Sequence, residues 1–437
     1  MTLSPARSTT DNWPGLHALP SGPRNAVAAP IARRLFRAAV TRLDVTVEIT
    51  TGPGRREVLG RGGPVMRIQR PEEFYARIGR DGLIGFGEAY MTGAWDTDEP
   101  DGLGDFLTVL AAEMATLVPP RLQRARAFVV AKRPHFHRPD ETQSRELIAH
   151  HYDLSNDLFR QFLDPTLSYS SALFESDASG TPQLPAAPAQ ADLAQAQVRK
   201  IERLLDVAGV GEGTRVLEIG TGWGELAIRA ARRGAHVHSV TLSVEQLELA
   251  RERVAEAGLS DRVDIEICDY RAVPTQHPGR QYDAVVSVEM IEAVGAEYWT
   301  SYFSTIDQVL APGGKVGLQA ITMPHDRMLA TRGGFTWINK YIFPGGFLPS
   351  VEVIDQVTRD HTTLRVSGDL AFGQHYAETL RQWDARFLQA RDEVMGLGFD
   401  EVFVRMWHFY LEYSRAGFAS GYIDVHQLVL DRPQERP

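Results

Sequence analysis

Residues 215–224 read RVLEIGTGWG, and the helical-looking stretch ELAIRAARR (225–233) follows at once. A strand entering a turn with Gly220, Gly222 and Gly224, and then a helix, is the first βα unit of a parallel sheet. Glycine lets that turn approach a ligand closely, and the helix N-terminus presents free N–H groups. A dinucleotide fingerprint needs G-x-G-x-x-G, but here Glu225 takes the last position and glycine falls one residue early. A dehydrogenase also wants an acid at the end of the second strand for the ribose hydroxyls. That place holds Thr241, in VTLSVEQ (240–246). An acid just before the turn, Glu218, is instead what an S-adenosylmethionine site uses near the cofactor's amino-acid end. A tight turn in a sheet that binds nothing is the alternative.

Working outward, the pattern predicts strands at 236–242, 263–269, 282–290 and 315–323, the last after the turn Pro312-Gly313-Gly314. Helices are predicted from Glu225 to Arg233 and from Val244 to Ala257. Strands alternating with helices of this length imply a parallel, doubly wound sheet. The tail adds helices at Tyr376–Arg391 and around Phe403–Tyr413, then the strand VHQLVL (425–430). Antiparallel strands beyond a parallel core suit a methyltransferase-type sheet. Upstream, VTVEIT (45–50), the turn TGPG, REVLG, PVMRIQ, PEEFYARIG and an apolar helix near Phe106–Leu117 read as a small α+β domain. The expected organisation is a disordered tail at 1–25, a small α+β domain at 26–119, a basic linker at 120–145 and a catalytic domain at 146–437. Residues 176–190 read as a second, Ala/Pro-rich linker.

Composition bounds the function. The 437 residues are 43% hydrophobic and 23% charged, values of a globular chain with a real core. No run approaches a membrane-spanning helix, and the first residues lack a secretory signal core. The expected location is therefore cytoplasmic. A net charge of −10 argues against bulk attraction to nucleic acid or anionic lipid, so any such contact must come from a local basic patch. Cys268 is the single cysteine, which excludes a disulfide, a cysteine metal cluster and a CxxC redox motif. His150, His151, His375 and His408 lack ligand spacing, so no metal is expected. Arg33, Arg34, Arg37 and Arg42 interleave with Ile31, Leu35, Ala39 and Leu43 at helical spacing. Such a helix is either an ordinary domain-surface helix or one that lies on an anionic membrane.

IGTGWG, VTLSVEQ and CDYR (268–271), with HYDLSNDLFRQFLDPTLSYSSALF (151–174) upstream, resemble the cyclopropane fatty acid and mycolic acid methyltransferase family. The likeness continues through VEMIEAVG (288–295), FPGGFLPS (343–350), FGQHYAETL (372–380) and GYIDVHQ (421–427). GFGEAYMTGAWD (85–96) resembles the two-domain, phospholipid-acting branch. The resemblance covers about residue 85 to the C-terminus, and it implies a Rossmann-like class I S-adenosylmethionine-dependent methyltransferase sheet with helical lid insertions.

The resemblance places the cofactor on Tyr169, Ser170, Glu218, Gly220, Gly222, Gly224, Thr241, Gln246, Asp269 and Tyr270. It implies methyl transfer to a cis double bond of a phospholipid acyl chain, through a carbocation that needs a dry site. Aromatic faces can steady a cation, and 335–343 (FTWINKYIF) is either a tunnel wall or core packing. In cyclopropane-forming relatives a bicarbonate, held by Cys, Glu, His, Ile and Tyr, is the base. Glu292, Ile321 and Tyr376 match that set, whereas Ser171 replaces the cysteine and Gln319 the histidine. Both replacements can hydrogen-bond an anion without carrying charge. These five are the candidate catalytic residues, and bicarbonate is kept as an altered second ligand. The sequence also resembles the actinobacterial branch that makes 10-methylene chains, reduced by a separate flavoprotein to 10-methyl acids. Ring closure to a cyclopropane, or methylation of a small molecule, are the alternatives. The two-domain relatives imply a homodimer whose N-terminal domain, 26–119 here, engages lipid, and so a peripheral place at the inner face of the cell membrane.

Overall fold

A computed structural model describes residues 13–98, 102–117, 155–176, 182–183 and 192–433. The basic stretch 120–145, His150, His151 and most of 176–190 lie outside them. The described residues form two compact units. One comprises those within 1–133, 333–342 and 383–422; the other comprises those within 134–332, 343–382 and 423–437.

The first unit holds a four-stranded sheet of β1 (Thr46–Gly52), β2 (Arg55–Gly60), β3 (Val65–Ile68) and β4 (Trp95–Thr97), in the order β2-β1-β3-β4. Around it lie helices Pro23–Val40, Pro71–Asp81, Leu83–Met91, Gly102–Leu117 and Glu401–Ala419. Helix Pro23–Val40 starts inside the stretch expected to be a disordered tail, with proline in its first turn, where a missing N–H costs nothing. The sequence reading ran one catalytic domain from 146 to 437, and the units divide differently. Segments 333–342 and 383–422 pack with the N-terminal sheet because their aromatic and charged residues have partners there. Phe409 packs on Phe86, Tyr90 and Trp337. Arg405 stacks over Tyr90 at 4.1 Å and donates to Asp96 at 3.0 Å. Gly87 is required at this contact, since a Cβ would sit 2.5 Å from the Trp337 ring.

The second unit contains a two-residue pairing of β5 (Glu175–Ser176) with β6 (Pro182–Gln183) and a seven-stranded sheet. Its strands are β7 (Arg215–Ile219), β8 (His236–Thr241), β9 (Val263–Ile267), β10 (Tyr282–Val288), β11 (Leu310–Thr322), β12 (Arg365–Ala371) and β13 (Asp424–Asp431). The order is β12-β13-β11-β10-β7-β8-β9, with β13 antiparallel to both neighbours and the contacts from β11 through β9 parallel. Both faces are covered. Leu217, Val285 and Leu318 enter one apolar cluster, while Val216, Ala284 and Val286 enter another. Burial on both sides explains why these strands read as continuous apolar runs rather than alternations. The expected class I methyltransferase sheet is the one observed. Pro312-Gly313-Gly314, expected to precede the fifth strand, lies within β11, where the pairing with β10 shifts register. Strand order reverses between β7 and β10, and such a switch point opens a crevice at the carboxyl ends of the strands.

Candidate active site

Four loops leave the carboxyl ends of β7, β8, β9 and β10, and each carries residues singled out from the sequence. After β7, Gly220, Gly222 and Gly224 have φ of +94°, +51° and +87°. A side chain at Gly220 would collide with Met290, whereas one at Gly222 would meet nothing within 4 Å. The loop backbone is thus bare on the Gly222 side and ends at the start of helix Glu225–Arg232. Ser239 holds it from beneath: its hydroxyl lies 2.7 Å from Thr221 Oγ1 and donates to Glu218 Oε2 at 2.5 Å. Burial pushes the Glu218 carboxyl up to about 8. Arg253 fastens the far end, donating to the Trp223 carbonyl at 2.6 Å and to Glu225 Oε2 at 2.8 Å.

After β8, Thr241 Oγ1 donates to Gln246 Oε1 at 3.2 Å. The cap of helix Val244–Glu256 is Ser243, which accepts from Gln246 N. Helix capping is therefore not what the Thr241 side chain does. After β9, Asp269 is engaged by Arg271 through both oxygens, at 2.9 and 2.6 Å. Tyr270 packs edge-on against Tyr302, and its buried hydroxyl has no partner among the described residues. From the upstream segment, Tyr169 sits against Phe159 and Phe162, and Phe159 in turn contacts Trp223. Ser170 Oγ accepts from the buried Lys200 ammonium at 2.7 Å. Bare glycine backbone, open helix N–H groups and an orphaned tyrosine hydroxyl at one end of the sheet fit an S-adenosylmethionine site.

After β10 the structure changes the sequence reading. Ser171, Gln319 and Tyr376 do come together, but around Glu289. Glu289 Oε1 accepts from Ser171 N at 3.0 Å and from Gln319 Nε2 at 2.8 Å, and its Oε2 accepts from the Tyr376 hydroxyl at 2.7 Å. Those three positions were expected to hold bicarbonate, and a protein carboxylate already uses their donors. The bicarbonate expectation does not fit this site. Glu292 lies close enough for the two carboxyls to repel. Its Oε1 accepts from the Ile321 backbone N–H, while its Oε2 is buried without a partner among the described residues. Burial, then the charge on Glu289, pushes Glu292 up to about 8. Lys200 is pulled down to about 8 by burial, partly opposed by Glu289. Neither Glu289 nor Lys200 was singled out from the sequence. The available signal was the pair of acids three apart in VEMIEAVG, at the end of the strand beside the glycine-loop strand.

Several expectations resolve into packing. Trp337, Lys340 and Tyr341 of the proposed tunnel wall are built into the first unit. Trp337 lies against Phe409 and Tyr341, while Lys340 and Tyr341 bind Glu88. His375 Nδ1 accepts from Phe174 N at 2.9 Å, and His408 bonds Asp384 at 2.7 Å. Among the described residues, His238, Glu266 and His277 converge in a grouping not singled out from the sequence. Both imidazoles bond one Glu266 oxygen, at 2.9 and 2.7 Å.

The comparisons agree with this geometry. The mycolic acid cyclopropane synthetase family model matches residues 139–428. The chain is 53% identical over 423 residues to the tuberculostearic acid methyltransferase UfaA1 of Mycobacterium tuberculosis, covering 97% of this chain and 96% of that protein. It is 34% identical over 371 residues to the cyclopropane-fatty-acyl-phospholipid synthase of Escherichia coli, covering 85% and 88%. Among solved structures, the mycolic acid cyclopropane synthase CmaA1 complexed with SAH and CTAB superposes with a TM-score of 0.57 at 29% identity, over 68% of this chain and 99% of that one. Coclaurine N-methyltransferase, at 17% identity and a TM-score of 0.59 over 80% and 99%, shares the fold alone. With the glycine loop at the switch point and the family match spanning two-thirds of its length, the chain belongs to the mycolic acid cyclopropane synthetase family of S-adenosylmethionine-dependent methyltransferases.

Proposed function

We propose that the protein methylates a cis double bond within an unsaturated phospholipid acyl chain and releases a 10-methylene chain, the precursor of a 10-methyl branch. The observation that carries this reading is the buried carboxyl pocket after β10, at the same sheet end as the glycine loop. Near-full identity of span with a tuberculostearic acid methyltransferase supports the branched product. When bound, S-adenosylmethionine supplies an electrophilic methyl group. Gly220–Gly224, Thr241, Gln246, Asp269 and Tyr270 hold and orient it in this reading, with Tyr169 and Ser170 closing the site from the upstream segment. An isolated alkene is a weak nucleophile, so positioning and exclusion of water must supply most of the acceleration. Ser171, Gln319, Ile321, Tyr376 and the two glutamates form a polar cluster at this end of the sheet. Closure to a cyclopropane is the second reading, favoured by the likeness to the Escherichia coli synthase. Incubation with labelled cofactor and oleoyl phospholipid, followed by mass spectrometry and proton NMR of the labelled acid, tests both. Olefinic methylene protons are the expected result. A ring-methylene signal upfield of ordinary methyls would establish the second reading instead.

No described helix is long and apolar enough to cross a membrane, so the acyl chain must be met at a surface. Helix Pro23–Val40 suits that task. It buries Ala32 and Val40 and exposes Val27, Ile31 and Leu35, each more than half accessible and four residues apart. Ile31 and Leu35, the apolar side read from the sequence, thus face outward, while Leu43 is buried. Arg24, Arg33 and Arg34 are exposed on the same helix, and the chain has no acid between Asp11 and Asp44. An apolar stripe flanked by arginines matches the interface of an anionic bilayer, at about 1 kcal/mol for each cation near the surface. The expected outcome is sedimentation with phosphatidylglycerol vesicles and not with phosphatidylcholine vesicles, abolished by Ile31→Asp with Leu35→Asp. Persistence of binding in that variant would remove the helix from the reading. A homodimer and a separate flavin-dependent reductase that supplies hydride to the methylene product complete the proposal; light scattering and reductase-coupled product analysis test them.

A further inference from the structure

Glu289 is the unusual residue of the site. β10 ends at Val288, and the chain then turns through Glu289 with φ +53°, a conformation that among described non-glycine residues only Leu167 shares. Such backbone strain persists only where the surroundings over-determine it, and it concentrates at working sites. Here the surroundings are explicit. Glu289 N donates to the Gln319 carbonyl at 2.8 Å. The Gln319 side chain is fully buried and cannot turn over freely, because its Oε1 accepts from Gln427 Nε2 at 3.0 Å. Its Nε2 is therefore committed to Glu289. The Ser171 N–H is held in place by the next residues, with Ala172 N donating to Thr379 Oγ1 at 3.1 Å and Phe174 N to His375.

The two carboxyls of this pocket are not equivalent. A low-dielectric site that holds two acids favours one charge and one proton. Glu289 receives two N–H donors and one O–H donor and feels the buried Lys200 ammonium, all of which favour the anion. Burial still raises it above the usual carboxylate range, which is what a base needs. Glu292 accepts only from backbone N–H groups, has an oxygen with no partner among the described residues, and faces the charge on Glu289, so it carries the proton.

Resting on the reading above, we propose that Glu289 is the catalytic base, a side-chain carboxylate standing where the resemblance implied a bound anion. The steps balance as follows. The alkene π pair forms the new C–C bond to the methyl carbon while the C–S pair returns to sulfur, leaving a cation on the adjacent chain carbon. A hydride, carrying its electron pair, shifts from the methylated carbon to that cation. Glu289 then accepts one proton from the methyl group, and the C–H pair becomes the exocyclic C=C. The glutamic acid so formed returns its proton to solvent before the next turnover. Because the base is part of the chain, its occupancy does not depend on dissolved carbonate.

The test compares full-length wild type, Glu289→Gln and Glu289→Gly on oleoyl phospholipid vesicles. Wild type is expected to keep its rate in carbonate-free buffer. Glu289→Gln is expected to bind S-adenosylmethionine within about twofold of wild type and to lose turnover on the order of 10²- to 10⁴-fold, the usual range for a missing general base. Glu289→Gly relieves the positive φ and vacates the three donors, so added formate or bicarbonate should restore turnover at least tenfold, saturably. A structural role would produce no such rescue. Glu289→Gln with turnover within threefold of wild type overturns the proposal. So does Glu289→Gly unresponsive to both anions, or a wild type that slows without carbonate and recovers with it. If wild type itself labels no acyl chain, the functional reading fails first, and the two failures are told apart in one experiment.

Discussion

Two carboxylates sit in the two units of this protein, Glu88 buried in the first and Glu289 half-buried in the second, and their partners differ in kind. Glu88, in the first unit, is 1% exposed and is surrounded by cations: Lys340, Arg80 at 3.2 Å and Arg77 at 3.7 Å, with the Tyr341 hydroxyl at 2.9 Å. Glu289, in the second, is met by an amide N–H, a glutamine and a tyrosine, with Lys200 acting only through its field. A carboxylate matched by several formal charges is tied into an ion-pair cluster. One matched by neutral dipoles keeps its basicity. The first arrangement ties segment 333–342 to the N-terminal helices. The second leaves a group able to react.

Experiments can press on that contrast, in order of expected effect. Glu289→Gln should give the largest change, in turnover rather than stability, as set out above. Glu88→Ala should do the opposite. It removes the acid shared by Lys340, Arg80 and Arg77, although Arg77 keeps Glu73 at 2.9 Å, and should destabilise the protein by about 1–3 kcal/mol, the usual cost of leaving buried donors unmatched. Denaturant unfolding measures this, and titration calorimetry should show S-adenosylmethionine affinity within about threefold of wild type. A Glu88→Ala protein as stable as wild type would mean that its cations do not need it.

Glu292→Gln sharpens the comparison from inside the pocket. An amide resembles a neutral acid, so turnover should fall by less than about tenfold, far less than for Glu289→Gln. A fall as large as that of Glu289→Gln would show that Glu292 must ionise. The smallest effect is on stability against pH. Glu292 is raised from 4.5 to about 8, so the folded state holds a proton that the unfolded chain releases. Its favourable contribution is complete below about 4.5 and is lost as pH rises to about 8. Thermal unfolding of wild type should therefore occur at lower temperature at pH 8 than at pH 6, and Glu292→Gln should reduce that slope. Glu218, also raised to about 8, contributes in the same sense and should leave part of the slope behind.

Much of the catalytic unit was legible from local pattern. β7, β8, β9 and β10 and the helices after β7 and β8 appear within one to two residues of their sequence-read bounds, because β-branched and apolar residues recur in each strand and a glycine turn marks the exit of β7. The boundaries of the compact units were not legible. Nothing local in WINKY (337–341) or in helix Glu401–Ala419 says that its partners are Glu88, Phe86 and Tyr90, some 250 to 320 positions earlier. The arginine-bearing helix was read correctly as amphipathic in pattern. Which apolar residues face outward depended on how it packs against helix Pro71–Asp81.

By itself, the sequence determined the glycine turn through its spacing and the family through its resemblance, both of which lie along the chain. Only tertiary structure decided which acid stands at the centre. Glu289 and Glu292 are three residues apart and equal in chemistry. A left-handed turn at Glu289 and donors from Ser171, Gln319 and Tyr376 distinguish them, and those donors meet only once the sheet has assembled.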